Sequence, residues 1–316
     1  MRILITGGFG FIGGRLAVHL AQIGHQIIIG TRKQLTYPNW LPKAEVAIMV
    51  WDDLLALERC CKGVDVVIHT AGMNAKECAI EPLRALEFNG LATANLVASA
   101  SRAGVKKFIY LSTAHVYAAP LVGVITELTR PQSLEPYATS HLAREQSVLN
   151  VYSSGERQGI VLRLSNGFGA PLDKDVNCWM LLVNDLCKQS VQTRRLVLQS
   201  SGMQHRDFIA LAYICCVVEK LITERRLKNW NIFNVGSSKS HSVLEIAKFI
   251  QYRCNEVLGF LPELLYKKSE VHEQSSPLTF GTDNLNALGI SYKMQLNTVE
   301  IDRLLQFCQA TFNQGL

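Results

Sequence analysis

Short apolar runs alternate with longer amphipathic stretches through the first two thirds of the chain. Short apolar runs bounded by turn residues are typical of buried strands, and an apolar period of about 3.6 residues is typical of helices. The pattern predicts strands at 2–6, 25–30, 45–50, 64–69, 107–112, 160–164 and 231–235. It predicts helices near 13–23, 53–62, 81–103, 137–157, 206–223 and 242–254, and loops at 36–43, 118–136 and 165–177.

The first predicted strand runs directly into a glycine-rich turn, GGFGFIG at 7–13. Gly7 and Gly10 allow a tight turn that brings backbone N–H groups close to a pyrophosphate, and Gly13 lets the next helix pack on the strand. A helix N-terminus adds oriented donors and partial positive charge. Since a strand precedes the turn and a helix and a second strand follow it, a dinucleotide site is favoured over a purely structural turn. The predicted cofactor contacts in this turn are Gly7, Gly10, Phe11, Ile12 and Gly13.

The alternation of strands and helices predicts an α/β protein with a Rossmann-type doubly wound parallel sheet. Beyond residue 236 the strand pattern fades, and we expect a smaller substrate-binding lobe there, interleaved with the first domain. The expected dinucleotide-binding domain comprises 1–165 and 205–236, and the expected lobe comprises 166–204 and 237–316.

The composition is that of a globular protein of 316 residues, 48% hydrophobic and 18% charged. We expect no signal peptide, and the longest apolar run, Phe208 to Val218, is too short to cross a bilayer and predicts a buried helix. Nine cysteines without a C-x-x-C pair indicate buried thiols in a reducing cytoplasm. The net charge of +6 is spread along the chain, which favours an anionic small molecule over nucleic acid. We therefore expect a cytoplasmic protein with no metal, membrane or nucleic-acid partner.

Several motifs together resemble the extended short-chain dehydrogenase/reductases, in particular the NAD-dependent epimerase/dehydratase family typified by UDP-galactose 4-epimerase. Each motif alone is weak, but their order and spacing are specific and cover nearly the whole chain. Besides the glycine turn, they are His69-Thr70-Ala71-Gly72, Asn89 with Ala92-Thr93, Ser112-Thr113-x-x-Val116-Tyr117, Tyr137, Arg163-Leu164-Ser165-Asn166, Arg206-Asp207-Phe208-Ile209 and Phe233-Asn234-Val235-Gly236.

The resemblance implies a role for each matching residue. Tyr137 would be the acid/base toward a sugar hydroxyl or ketone, and Thr113 would hydrogen-bond the same oxygen. Asn166 and Arg206 would hold the substrate diphosphate, since a guanidinium suits phosphate oxygens. The residues alone leave open a packing role for the tyrosine and a surface ion pair for Arg206. Further cofactor contacts implied are Ala71, Asn89 and Tyr137 itself.

The chain departs from the family pattern at His141, where a lysine is expected four residues after Tyr137. That lysine lowers the phenol pKa and holds the nicotinamide ribose. Imidazole carries a charge only part of the time near pH 7, although residues 137 and 141 share a helix face. His141 is therefore predicted as a catalytic and cofactor-binding residue, with either an altered pH profile or a weakened site, and His141→Lys is predicted to raise turnover at neutral pH.

A second departure concerns the cofactor. NAD-selective members end the second strand with an acidic residue, whereas this chain has Thr31, followed by Arg32 and Lys33. Cationic side chains attract a 2′-phosphate, so NADP is the expected cofactor and NAD the alternative; a solvated loop with incidental charge remains open. Asp53 and Leu54 resemble the pair that meets the adenine.

A third departure is Ala114-His115, where dehydratases of the family carry Asp-Glu, so 4,6-dehydration is disfavoured. His115 is either an acid/base near the sugar or a structural residue. We expect a nucleotide-sugar 4-epimerase or 4-ketoreductase of surface-polysaccharide precursor synthesis. The resemblance to the family also implies a homodimer, paired through the helices near 81–103 and 137–157. The alternatives are a catalytically weakened dinucleotide-binding protein and a reductase of non-sugar ketones, against which Asn166 and Arg206 argue.

Overall fold

The computed structural model describes residues 1–152, 157–225, 227, 230–267 and 277–313. Its centre is a parallel sheet of seven strands. They are β1 (Arg2–Thr6), β2 (Gln26–Thr31), β3 (Glu45–Ile48), β4 (Val66–His69), β5 (Lys107–Thr113), β7 (Gln158–Leu164) and β11 (Ile232–Val235). Their order across the sheet is β11-β7-β5-β4-β1-β2-β3. They correspond to the seven strands that the sequence predicts, which confirms the Rossmann-type α/β fold.

Helices cover both faces of this sheet, because its strands are apolar on both sides. They are α1 (Phe11–Gln22), α2 (Leu54–Cys61), α3 (Ala75–Ile80), α4 (Pro82–Ala85), α5 (Ala92–Arg102), α6 (Pro136–Val151) and α8 (Leu211–Thr223). One face packs against α1 and α8, with Leu16 and Ile214 in its core. The other face packs against α2, α5 and α6, with Leu57 and Val148 in its core.

The chain reverses its direction of travel across the sheet at β1, which lies between β2 and β4. Thr6 pairs with His69 in this register, so the glycine turn after β1 and the segment after β4 emerge side by side. Such a reversal opens a crevice at the carboxyl ends of the strands, where ligands of this architecture bind.

The smaller lobe is built from short strands and three long helices. Its elements are β6 (Gly123–Ile125), β8 (Asn166–Phe168), α7 (Leu182–Thr193), β9 (Arg195–Val197), β10 (His205–Ala210), β12 (Ser240–Ser242), α9 (Val243–Leu258), β13 (Glu263–Leu265), β14 (Leu278–Phe280), α10 (Asp283–Ala287) and α11 (Gln295–Phe312). The strands form the sheets β12-β10-β8, β13-β9 and β14-β6. Helices α7, α9 and α11 share an apolar core.

Several predicted boundaries are wrong. The helix predicted at 206–223 begins only at Leu211, because 205–210 form β10; the apolar run continues from strand into helix, and periodicity cannot divide so short a run. The predicted loops at 118–136 and 165–177 contain β6 and β8. The helix predicted at 81–103 is interrupted by a π-helical turn, Leu86–Leu91. The helix predicted at 137–157 ends at Val151, and 153–156 lie outside the described residues.

All nine cysteines are free thiols. Among the described helices, none combines the length and the apolar character needed to cross a membrane.

Candidate active site

The glycine turn has the shape that a pyrophosphate requires. Gly7 has φ +68°, a conformation that favours glycine, and a Cβ there would lie 2.9 Å from the backbone of Ala71. A Cβ on Gly13 would clash with the carbonyl oxygen of Gly7. Gly10 caps α1 without a side-chain hydrogen bond, so the N–H groups of the first turn, at Phe11 and Ile12, remain available to an anion. This cradle fits a dinucleotide.

The end of β4 is fixed by buried hydrogen bonds. The hydroxyl of Thr6 lies 2.7 Å from Nδ1 of His69, and that of Thr93 lies 2.8 Å from its Nε2. Burial, followed by the charge of Arg144, holds the pKa of His69 well below its usual range, so the imidazole is neutral. These bonds position Ala71, half-buried, beside the glycine turn.

Tyr137 opens α6 with its phenol against Thr113 at the end of β5. Burial raises the pKa of this phenol, whereas the hydrogen bond from Thr113 and then the charge of Arg144 lower it. The ring of His115, from the 3-10 turn Ala114–Val116, lies 6.4 Å from the Tyr137 ring. The structure therefore brings together Tyr137, which the resemblance predicts as the acid/base, and Thr113, which it predicts to hydrogen-bond the same substrate oxygen.

His141 lies one turn after Tyr137, and the centroids of their rings are 4.3 Å apart. It is buried, and its Nδ1 lies 2.6 Å from the hydroxyl of Tyr110 on β5. Burial holds the pKa of His141 well below its usual range, and the positive charge of Arg144 and the neighbouring imidazoles lower it further. The expectation that His141 is charged for part of the time near pH 7 is thus wrong, because the imidazole is neutral there.

Arg144, which the sequence did not single out, is the cation beneath these residues. It donates from Nε to the carbonyl oxygen of Asn89 (2.7 Å), from Nη1 to that of Ala71 (3.0 Å), and from Nη2 to Oδ1 of Asn89. Residues 137, 141 and 144 follow the i, i+4, i+7 spacing of one helix face. That spacing is the signal by which the sequence alone could have indicated Arg144.

Asn89 lies in the π-helical turn and is completely buried. Its Oδ1 accepts from the backbone N–H of Met73 as well as from Arg144, and its Nδ2 donates to the hydroxyl of Ser140. The structure thus leaves Asn89 no accessible surface for a ligand and places it as a support for Arg144.

The residues predicted to select the cofactor lie at the ends of β2 and β3. Arg32 is exposed, and its guanidinium carbon lies 5.5 Å above the ring of Phe88. The hydroxyl of Thr31 accepts from the backbone N–H of Lys33. Asp53 caps α2 by accepting from the N–H of Ala56 (2.9 Å), which leaves Leu54, the first residue of the helix, partly exposed.

The two residues predicted to hold a diphosphate lie on paired strands of the lobe. Asn166 donates to the carbonyl oxygen of Asp207, and its backbone pairs with that of Phe208. Burial lowers the pKa of His115, the charge of Glu135 raises it, and the charge of Arg206, which is exposed, lowers it. His115 thus lies within electrostatic reach of Arg206 and beside Tyr137.

The sequence left open a surface ion pair between Arg206 and its neighbour Asp207. The structure shows no ion pair between these two residues. The carboxylate of Asp207 is buried and accepts from the hydroxyl and backbone N–H of Ser237 and from the hydroxyl of Ser165. The described residues contain no group of three or more His, Cys, Asp or Glu side chains arranged to bind a metal ion.

Comparisons with known proteins agree with this geometry. A family model described as "NAD dependent epimerase/dehydratase family" matches residues 3–236. A dTDP-D-glucose 4,6-dehydratase of Homo sapiens is 28% identical, over 78% of this chain and 72% of that protein. A UDP-glucose 4-epimerase of Neisseria meningitidis serogroup C is 32% identical, over 54% of each chain. The crystal structure of a UDP-glucose 4-epimerase from Thermotoga maritima with UDP-glucose has a TM-score of 0.82 and 20% identity, covering 98% of this chain and 99% of that one.

Proposed function

The chain belongs to the NAD dependent epimerase/dehydratase family, and from that premise we propose that it is an NAD(P)-dependent 4-epimerase or 4-ketoreductase of nucleotide sugars. Its product would serve surface-polysaccharide precursor synthesis. The observation that carries the proposal is the phenol of Tyr137, held against Thr113 at the carboxyl end of β5, on the sheet edge where the glycine cradle also lies. A phenol in this position can exchange a proton with the hydroxyl or ketone oxygen of a sugar.

The residues of the chain divide this work among them. Tyr137 takes a proton from the sugar hydroxyl or returns one to the ketone, and Thr113 orients that oxygen. Asn166 and Arg206 hold the diphosphate from the lobe side. A bound nicotinamide supplies the hydride chemistry at the same carbon. In this proposal the dinucleotide-binding domain comprises 1–165 and 205–236 and the sugar-nucleotide lobe comprises 166–204 and 237–316, except that β6 and β10, which carries Arg206, belong to the sheets of the lobe.

Dehydration is disfavoured although three of the relatives are dehydratases. Ala114 is buried and has no ionisable group, so it cannot act as an acid or base after Thr113. The neighbouring His115 alone offers an ionisable group at this point of the chain. We therefore keep the proposal to epimerisation or ketone reduction.

A second candidate is a dinucleotide-binding protein with weakened catalysis, acting as a sensor or a partner subunit. The neutral His141 favours it, because the family lysine contributes a permanent charge at that position.

The experiment that separates these candidates is a substrate panel. The purified protein is incubated with NAD(H) or NADP(H) and with UDP-glucose, UDP-N-acetylglucosamine, UDP-glucuronic acid or dTDP-4-keto-6-deoxyglucose. Proton NMR identifies the sugar product, and absorbance at 340 nm follows the cofactor. We expect a C4-inverted or C4-reduced sugar nucleotide; binding of dinucleotide without any product would favour the second candidate.

The cofactor preference gives a testable consequence. Arg32→Ala is expected to weaken NADPH binding about tenfold or more and to change NADH binding little, because an exposed guanidinium can pair with a 2′-phosphate that only NADPH carries. Tryptophan-to-nicotinamide energy transfer measures both dissociation constants. Lys62→Ala, which removes an exposed cation at the end of α2, serves as the control. Equal losses for both cofactors would withdraw the NADP preference.

We further propose a homodimer. Exposed apolar side chains lie along α3, α4 and the π-helical turn at Ile80, Leu83 and Leu91, with Leu83 78% exposed. Exposed apolar patches of this kind mark interaction surfaces. Leu83→Asp is expected to convert the dimer to a monomer in light scattering, whereas Leu261→Asp, at a leucine 65% exposed beyond α9, leaves the dimer intact. A monomeric wild-type protein would contradict the proposal.

A further inference from the structure

Tyr137, Thr113 and His141 do not by themselves supply the positive charge that an acid/base tyrosine needs. An unperturbed phenol has a pKa near 10, and burial raises that of Tyr137 further. The neutral His141 supplies no positive charge to offset this effect. A phenol that must lose a proton near neutral pH therefore requires a cation from elsewhere.

Arg144 is a buried cation on the same face of α6 as Tyr137 and His141. Its side chain is 2% exposed, and its guanidinium donates to two carbonyl oxygens and one amide oxygen, all of them uncharged. Within the described part of the chain it forms no salt bridge, since the adjacent Glu145 pairs with Arg163 instead. The positive charge of Arg144 is therefore not neutralised by a carboxylate partner.

The surroundings of Arg144 are shaped to hold it. A Cβ on Gly72 would lie 2.7 Å from Nη1, so only glycine leaves room for the guanidinium at this point. The π-helical turn presents both the carbonyl and the side-chain oxygen of Asn89 to it. The guanidinium carbon of Arg144 lies 5.7 Å from the centroid of the Tyr110 ring, and the Tyr110 hydroxyl is hydrogen-bonded to Nδ1 of His141.

We propose that Arg144, entering from one helical turn beyond His141, supplies the fixed positive charge of the acid/base site, with Asn89 and Gly72 holding it in place. Arg144 is thus a positioning residue that acts through Tyr137. This inference rests on the proposed function, since it concerns the same proton transfer. It also gives the chain a charge-bearing substitute for the lysine that position 141 lacks.

The electrostatic consequences agree with this placement. The charge of Arg144 contributes to lowering the pKa of Tyr137 and of Tyr110, and it helps to keep His69 and His141 neutral. An increase in the positive charge around a phenol favours its ionised form, and the same charge disfavours protonation of an imidazole. Several titratable and charged groups surround Tyr137 and Arg144. They are His69, Cys78, Tyr110, His115, His141, Glu145 and Arg163.

The direct test is a titration of the Tyr137 phenol. The ionisation of tyrosines is followed at 295 nm in the NADH-loaded protein, and the trace of Tyr137→Phe is subtracted to isolate one phenol. Arg144→Gln keeps an amide donor and removes the charge, so we expect the phenol pKa to rise by about one unit or more. Arg144→Lys keeps the charge and is expected to stay near the wild type. Arg102→Gln, at an arginine paired with Glu58 on the surface, is the control.

Turnover provides a second reading. With the substrate that the panel identifies, the pH profile of kcat should move upward with the phenol pKa, and at pH 7 Arg144→Gln should lose about tenfold in kcat with little change in KM. An unshifted phenol in Arg144→Gln would overturn the inference even if the enzyme is active. The two claims are tested by different results. An unshifted phenol pKa in Arg144→Gln contradicts only the role of Arg144, whereas full activity of Tyr137→Phe contradicts the proposed function.

His141→Lys tests the inference without removing any donor from the buried carbonyl oxygens, and so decides the matter if Arg144→Gln does not fold. With Arg144 already in place, a lysine at 141 should raise turnover at pH 7 by about threefold at most. A gain of tenfold or more would show that the site lacked a charge and would contradict the inference. In the double variant His141→Lys/Arg144→Gln, the positive charge lies at position 141 instead of 144. We expect it to return the pKa of the Tyr137 phenol to near the wild-type value.

Discussion

Tyr137→Phe is expected to lower the turnover number about 10³-fold, within the range of 10²–10⁴ that a positioned acid/base group contributes. The variant keeps the ring that packs 4.3 Å from His141 and removes only the hydroxyl oxygen that faces Thr113. The glycine cradle lies on other elements, so dinucleotide affinity should change by less than threefold or so. Proton NMR of the sugar product measures turnover for an epimerase or a reductase, and energy transfer from tryptophan to the nicotinamide measures dinucleotide affinity.

The matched control is Tyr152→Phe. Tyr152 follows the end of α6, and its buried hydroxyl has no hydrogen-bond partner in the described structure, so removing this oxygen should leave turnover unchanged and stability equal or slightly higher. Near-wild-type turnover in Tyr137→Phe would remove the phenol from its proposed role. A parallel loss of dinucleotide affinity would instead assign the residue to cofactor binding.

Arg15→Met is expected to destabilise the fold by about 3–5 kcal/mol, the cost of leaving one partner of a buried ion pair uncompensated. Arg15, on α1, donates to both carboxylate oxygens of Glu300 on α11, and both side chains are nearly inaccessible. The Glu300 carboxylate also accepts from the backbone N–H groups of Ala170 and Ala212. The carboxylate of Glu300 therefore ties α11 of the lobe to α1, the helix that follows the glycine turn.

Chemical denaturation followed by circular dichroism measures this loss. Arg253→Met is the control, since its ion pair with Asp302 also joins two helices but is partly exposed and should contribute about 1 kcal/mol or less. The double variant Arg15→Met/Glu300→Gln should regain part of the lost stability, because it removes the uncompensated charge. Equal effects of Arg15→Met and Arg253→Met would show that burial of the first pair has no special weight.

The central sheet could be predicted from the sequence because its strands are short apolar runs bounded by turn residues. The same rule failed in the lobe, where β6, β8, β9 and β13 span only three residues each. Strands this short have too few positions to show a period, and their pairing partners lie far along the chain. The start of α8 was misplaced for a related reason, since β10 passes into it without an intervening polar residue.

The dinucleotide cradle was likewise readable from the sequence. Its requirements are local: a strand, glycines where a Cβ would clash, and a helix N-terminus. The meeting of Tyr137 with Thr113 was implied by resemblance to the family, and the structure places the two residues together.

The chain by itself thus determined the positions of the seven strands of the central sheet and the glycine turn. Its resemblance to the family indicated Tyr137, whose acid/base role stays a prediction. Only the tertiary structure decided the charge state of the site. Whether His141 is protonated depends on its burial and on Arg144, and Arg144 is held in place by Asn89 and Ala71, which lie 55 and 73 residues away along the chain. Proton affinity is set by solvation and by neighbours in space, and neither is visible in the order of residues.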